Sequence, residues 1–243
     1  MRLFGLIGHP LSHSFSKKYF TEKFDKLGLA DCRYELFPLS AIDELPALLA
    51  SNPELEGINV TIPYKKEVLK FLDDSAVPAG LQACNCICIE KGQLTGYNTD
   101  AIGFEKSIGP LLKPWHTHAL VLGNGGAAEA IMYVLKKLGI SFEVVSRSLH
   151  RGSTLTYDKL NKAIVERNTV IVNTTPLGMY PKVEACPEIP YEFLSGKHLL
   201  YDLVYNPAET LFLQKGKQNG STIKNGEEML ILQAEESWTI WNS

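Results

Sequence analysis

His118-Ala119-Leu120-Val121-Leu122-Gly123-Asn124-Gly125-Gly126-Ala127-Ala128 is the stretch that decides the fold. The apolar run His118–Leu122 reads as a buried strand, and it enters a G-x-G-x-x-A turn. Gly123 permits the tight turn, Gly125 lets the backbone approach a pyrophosphate, and Ala128 allows close packing of helix on strand. A helix over Ala127–Leu138 follows, then a second strand over Ser141–Ser146. The helix start offers unpaired N–H groups and a partial positive charge to phosphates. A glycine-rich run alone is weak, and a plain strand–helix turn is its simplest reading. The strand–turn–helix–strand context makes it a dinucleotide site, with Gly123, Asn124, Gly125, Gly126 and Ala127 as cofactor contacts.

The end of the next strand selects the nucleotide. NAD sites place Asp or Glu there for the ribose 2′-hydroxyl, whereas this chain has Ser146-Arg147-Ser148. Arg147 can pair with a 2′-phosphate and the flanking hydroxyls can donate to it. NADP is therefore expected rather than NAD, against the plainer reading of Arg147 as a solvated loop charge.

Working outward, the chain before this unit alternates strand-like and helix-like runs. Leu3–Gly8, Cys32–Phe37 and Gly57–Thr61 read as strands, with helices over Ser16–Leu27, near Ile42–Ala50, and from Lys65 to Phe71. Cys84–Glu90 and Gln93–Gly96 read as strands joined by a Lys91-Gly92 turn. Beyond Ser146, strands are expected at Thr169–Asn173, His198–Leu203 and Thr222–Lys224. Such alternation implies mostly parallel sheets covered by helices. The architecture expected is α/β: two α/β domains with a cleft between them, the first carrying substrate and the second a Rossmann-like cofactor unit. Pro110–Thr117, with two prolines and weak periodicity, reads as a linker or surface loop.

A 243-residue chain with 45% apolar and 21% charged residues has the balance of an ordinary globular protein. Its formal charge of −3 leaves no electrostatic footprint for nucleic acid, and no basic run suits anionic lipid. No apolar stretch is long enough for a signal h-region or a membrane span, so a cytoplasmic location is expected. Of five cysteines, three stand in Cys84-Asn85-Cys86-Ile87-Cys88. On a strand these thiols would share one face, with Asn85 on the other. The spacing lacks the C-x2-C pairs of zinc sites, and His116-x-His118 has no carboxylate or cysteine nearby in sequence, so no metal is expected. His13, between two serines, reads as a capping or packing residue.

Polar groups gather at the ends of the first unit's strands, where ligands collect in open α/β sheets. Gly5-Leu6-Ile7-Gly8-His9-Pro10 with Ser12-His13-Ser14 resembles the opening motif of the shikimate dehydrogenase family. Asn59-Val60-Thr61-Ile62-Pro63-Tyr64-Lys65 is similar to that family's N-V-T-x-P-x-K signature, and Asn98-Thr99-Asp100-Ala101-Ile102-Gly103 to its N-T-D-x-x-G signature. The resemblance continues in order through Gly123–Ala128, Asn173–Met179, Asp202–Pro207 and Gly226–Ala234, nearly the whole chain. The chain departs from the pattern at Lys17, where a proline is usual, at Cys86 in place of threonine, and at Ser146 in place of asparagine. Its terminal helical region is also shorter than in typical relatives.

The resemblance implies reversible NADPH-dependent reduction of 3-dehydroshikimate to shikimate, with Lys65 and Asp100 as the catalytic pair. Ser12 and Ser14 would hold the substrate carboxylate, while Thr61, Asn85, Asp100 and Gln233 would hold ring hydroxyls and Tyr205 would touch the substrate. Gly123–Ala127, Ser146, Arg147, Ser148, Leu203 and Gly226 would contact NADP. It also implies a substrate domain over 1–101, rejoined by a terminal helix in 226–243, and a cofactor domain over 102–225. The expected partner is the small-molecule substrate, and the chain would be a monomer or a homodimer. Two rival readings share the fold: a quinate/shikimate dehydrogenase using NAD, and a non-catalytic sensor of shikimate-like acids. A methylene-tetrahydrofolate dehydrogenase relative would explain the fold, but not Ser12, Ser14, Asn98 and Asp100 together.

Overall fold

Residues 2–8 hold six buried positions in a row, so this strand must be covered on both faces. The computed structural model, which describes residues 1–11, 15–149 and 152–243, places it inside a six-stranded sheet, second from one edge. Two compact units are present, Met1–Thr99 with Ala234–Ser243, and Asp100–Gln233.

The first unit runs β1 (Arg2–Gly8), α1 (Phe15–Leu27), β2 (Cys32–Pro38), α2 (Leu45–Ser51), β3 (Leu55–Val60), β4 (Asp74–Ser75), β5 (Cys86–Glu90) and β6 (Gln93–Tyr97). The strand order is β2-β1-β3-β5-β6-β4, with β1 parallel to β2 and β3 and the β5–β6 hairpin antiparallel. Lys91 (φ 53°) and Gly92 (φ 82°) make the two-residue hairpin turn, whose paired positive φ values match the twist of the strands. One face of the sheet packs Leu3, Ile7, Leu45, Ile58, Val68 and Ile87; the other packs Phe4, Phe20, Phe24, Tyr34, Cys86 and Trp241. In that second cluster Phe20 stacks on Tyr34 at 4.7 Å and Phe4 on Trp241 at 4.9 Å. The Trp241 indole N–H donates to the Ile87 carbonyl at 2.9 Å, and a Cβ on Gly57 would collide with its ring. The short tail is thus part of the core.

Three expectations are corrected. Cys84, Cys86 and Cys88 do not share a face: Cys84 joins the Leu3 cluster, while Cys86 and Cys88 pack with Phe4 and Trp241. The strand begins only at Cys86, so the alternation that would align Cys84 with them is absent. The helix expected from Lys65 is a turn followed by 3-10 helix over Glu67–Phe71, after which Asp73 N donates to the Leu94 carbonyl at 2.9 Å and the chain joins the sheet. The helix near Ile42–Ala50 is split into 3-10 (Ile42–Glu44) and α2, with Pro46 in the first turn of α2, where its missing N–H costs nothing.

The second unit runs α3 (Thr99–Ile108), β7 (His118–Leu122), α4 (Gly126–Lys137), β8 (Ser141–Ser146), β9 (Leu155–Thr156), α5 (Lys162–Arg167), β10 (Val170–Asn173), β11 (Leu199–Asp202), α6 (Leu211–Gln218), β12 (Thr222–Lys224) and α7 (Glu227–Ile240). Its sheet, in the order β12-β11-β10-β7-β8-β9, is parallel at every pairing. From β7 the chain winds one way through β8 and β9, then returns to β10 on the other side of β7 and winds outward. That reversal is a topological switch point, where ligands bind beyond the carboxyl ends of the strands. The chain crosses between the units within α3 and within α7. No helix among the described residues is long and apolar enough to cross a membrane.

Candidate active site

At the switch point lies a cavity of about 440 Å³ lined by the ends of β7, β8 and β10. Gly123 leaves β7 with φ +103°, and a Cβ there would meet Thr174 Oγ1 at 2.8 Å and Thr175 Cγ2 at 2.9 Å. Gly125 caps α4 with ordinary dihedrals (φ −87°, ψ −176°) and has nothing within 4 Å of where a Cβ would go. Its glycine is therefore not demanded by the protein's own packing but leaves room at a helix N-terminus, the arrangement that receives a phosphate. Gly126 and Ala127 form the first turn of α4, and buried Ala128 lets the helix sit close on the sheet.

Ser146, Arg147 and Ser148 line the same cavity at the end of β8. Ser146 Oγ donates to the Ser148 carbonyl at 2.6 Å, which folds the turn and leaves Arg147 exposed. The edge strand β9 pairs Thr156 with Ser146, so Tyr157 arrives beside Arg147 as a further wall. The guanidinium lowers the Tyr157 phenol, but burial outweighs it and pushes the phenol up to about 12.

The third wall is 174–177, after β10. Thr174 donates to the Leu122 carbonyl through N (2.9 Å) and Oγ1 (2.8 Å), tying the loop to β7. Thr175 donates to Asn173 Oδ1 through N (3.0 Å) and Oγ1 (2.6 Å). Asn173 is buried and donates to the buried Asp202 carboxylate at 2.9 Å. Burial pushes the Asp202 carboxyl up to about 6, while bonds from Thr210, Val204 and Asn173 act in the opposite direction. Leu203 and Gly226 come together next to it: Gly226 N donates to the Val204 carbonyl at 3.3 Å, and a Cβ on Gly226 would run into the Leu203 carbonyl.

In the first unit, Thr61, Lys65 and Asn85 gather at the carboxyl end of β3. Val60 N donates to Asn85 O (2.9 Å), Thr61 N to Ile7 O (2.9 Å) and Cys84 N to Lys65 O (2.8 Å). Both ends of the Asn85 amide bind Thr99: Oδ1 accepts from Thr99 N (2.6 Å) and Nδ2 donates to Thr99 Oγ1 (3.0 Å). Asp100 is the next residue, in the first turn of α3, where the helix dipole favours a carboxylate. A buried polar chain holds this end of the sheet. Thr99 Oγ1 meets Ser237 Oγ at 3.3 Å, Asn59 Nδ2 donates to that same Ser237 oxygen at 3.0 Å, and Tyr34 OH donates to Asn59 Oδ1 at 2.8 Å.

A family model described as the shikimate dehydrogenase substrate binding domain matches residues 6–87. The shikimate dehydrogenase (NADP(+)) of Clostridium beijerinckii is 37% identical over 99% of this chain and 92% of its own. The chain belongs to the shikimate dehydrogenase family. Among solved structures, a chorismate mutase/shikimate 5-dehydrogenase fusion protein from Clostridium acetobutylicum superposes with a TM-score of 0.88 at 34% identity, covering 100% of this chain and 91% of that one. The shikimate 5-dehydrogenase of Thermus thermophilus, solved with NADP(H) and shikimate, superposes with a TM-score of 0.85 at 30% identity, covering 99% and 93%.

The residues that likeness to the shikimate dehydrogenase family singles out fall into separate groups. Thr61, Lys65 and Asn85 lie in the first unit. Asp100, Tyr205, Gln233 and all the cofactor candidates lie in the second, where Tyr205 is exposed and buried Gln233 donates to the Leu230 carbonyl at 2.9 Å. Ser12, His13 and Ser14 lie outside the described residues. Sequence reasoning missed Thr174, Thr175, Pro176, Leu177 and Tyr157 as cavity walls. The polar Asn173-Thr174-Thr175 run directly after a buried strand was a usable signal for the first four. Tyr157 carries no local signal, since only the β8–β9 register brings it to Arg147.

Proposed function

We propose that this protein is an NADP-dependent shikimate dehydrogenase, interconverting 3-dehydroshikimate and shikimate in the route to chorismate and the aromatic amino acids. One observation carries the reading: the cavity at the switch point combines open space above Gly125 with Arg147 at the strand end where NAD sites carry a carboxylate. Relatives over almost the full chain are named as NADP(+) enzymes of this activity.

NADPH, when bound, supplies the hydride to the substrate carbonyl. The residues that would hold it are the α4 N-terminus from Gly123 to Ala127, the Ser146–Ser148 turn, Leu203 and Gly226. Ser12 and Ser14 bind the substrate carboxylate; Thr61, Asn85, Asp100 and Gln233 take its hydroxyls, and Tyr205 covers it. Lys65 holds the proton that the developing alkoxide needs, and its ammonium stabilises that charge before the proton moves. Asp100 orients the ammonium and accepts a substrate hydroxyl.

Steady-state reduction of NADP with shikimate tests this, with quinate and NAD as controls. Shikimate with NADP is expected to turn over fastest. Faster turnover of quinate with NAD overturns the assignment, and tight shikimate binding without NADP reduction makes the protein a sensor.

A further inference from the structure

We propose that Asp202 is a positioning residue for the cofactor: its buried carboxylate orients the Asn173 amide and so holds the 174–177 wall of the nucleotide cavity in its binding shape. The inference rests on the reading of that cavity as the NADP site. An ionised carboxylate only accepts hydrogen bonds. Asp202 Oδ1 accepts from Asn173 Nδ2 (2.9 Å) and from Val204 N (3.0 Å), while Oδ2 accepts from Thr210 Oγ1 (2.6 Å). With the nitrogen end of Asn173 committed to the carboxylate, its oxygen must face Thr175, where it takes both the N–H and the hydroxyl. A flipped amide would set oxygen against carboxylate and NH2 against N–H, two mismatches around the fully buried Asn173 and Asp202 side chains. The carboxylate therefore specifies one arrangement of the wall.

Its other bonds tie down the chain on either side of the wall's support. Val204 lies between Leu203 and Tyr205, and Thr210 caps α6 while packing against Gly178 just beyond the wall. Asp202 is not among the residues that line the cavity, yet Asn173, which it orients, leads directly into the lining segment Thr174–Leu177. An asparagine at 202 would fill the same volume and could keep its oxygen on Asn173 and Val204 while its NH2 donates to the Thr210 hydroxyl, so the relay is broken by alanine at 202 rather than by asparagine.

The test is NADP titration by calorimetry of the full chain, with thermal melts and steady-state kinetics, for wild type, Asp202→Ala, Asp202→Asn and Asn173→Ala. Asp202→Ala is expected to raise the NADP Kd at least 10-fold, with kcat at saturating NADP within about 3-fold of wild type. Asp202→Asn, which can keep an oxygen on Asn173 and Val204, should stay within about 3-fold of wild type in Kd. Asn173→Ala breaks the same relay from the other end, leaves Asp202 two donors, and should weaken NADP to a degree similar to Asp202→Ala. It carries the test should Asp202→Ala not fold. Wild-type NADP affinity in Asp202→Ala or Asn173→Ala, with only the melting temperature lowered, overturns the proposal. So does an Asp202→Asn protein that binds no better than Asp202→Ala. A wild-type chain that does not bind NADP at all would instead remove the reading of the cavity itself.

Discussion

Gly123 and Gly125 stand two residues apart in one turn, and the structure assigns them opposite reasons for being glycine. At Gly123 an alanine meets two obstacles, a φ of +103° and contacts of 2.8 and 2.9 Å to Thr174 and Thr175. Neither threonine can yield freely, because each is tethered by its hydroxyl, to Leu122 O and Asn173 Oδ1. Backbone strain of about 1–3 kcal/mol plus a similar overpacking cost gives a loss of about 2–6 kcal/mol. For a chain of this size that lowers Tm by roughly 4–24 °C. Gly125→Ala meets neither obstacle: φ −87° suits any residue and nothing lies within 4 Å. The small loss at the helix cap and the gain from a stiffer unfolded chain roughly cancel, leaving stability within about 1 kcal/mol of wild type. The methyl does, however, stand where a pyrophosphate must approach the backbone. Losing one or two charge-assisted N–H bonds, at about 1.5–3 kcal/mol each, weakens NADP at least ~10-fold. Thermal melts and NADP titration of the two variants separate these effects. A Gly125→Ala protein that binds NADP as wild type does, or melts as low as Gly123→Ala, refutes the reasoning.

Lys65→Ala should lower kcat about 100-fold or more with a smaller change in KM; a nearly unchanged kcat would take Lys65 out of proton transfer. Arg147→Leu should cut the preference for NADP over NAD roughly 10- to 100-fold, since it removes a charge-assisted contact with the 2′-phosphate, and kcat/KM for both cofactors measures it. Asp202, at about 6 against an ordinary 3.8, favours folding in its acid form. That contribution is complete below about pH 4 and is lost as pH rises through 6, at about 1.4 kcal/mol per pH unit or about 3 kcal/mol in all. Relative to Asp202→Asn, wild type should therefore gain stability in urea melts between pH 7 and pH 4, and a constant difference would show an ordinary carboxyl. Trp241→Ala should cost about 3–5 kcal/mol, seen as a fall in Tm, because it empties the centre of an aromatic cluster.

The cofactor unit was the more legible half in sequence. Its central strands β7, β10 and β11 are short runs buried on both faces, and its glycine turn is a local signal with a local cause. The limits of β7, β8 and β12 agree with those read from the sequence. The first unit is harder because its decisive contacts are distant in sequence. Trp241 fills the space left by Gly57 and bonds to Ile87, and no periodicity announces that. Alternation puts Cys84 on a strand face, although the strand begins only at Cys86. Among polar motif residues, composition does not distinguish ligand contacts from internal latches. Asn59 and Asn98 turn out to be latches, bonded to Tyr34, Ser237 and Ala83. Tyr157 reaches the nucleotide cavity only through strand register, which a sequence does not display.

The first unit takes its last ten residues from the far end of the chain, and Trp241 among them is only 5% exposed in its core. During synthesis the sheet of the first unit is complete in sequence by residue 97, but its aromatic core has a hole until residue 241 emerges. At about 5–20 residues per second, that interval is on the order of ten seconds. The second unit, contiguous from Asp100 to Gln233, is made without interruption inside it. The half of the protein that leaves the ribosome first is thus the half that is finished last. A nascent chain stalled before its final residues would expose Phe4, Phe20 and Tyr34 to whatever chaperone meets it.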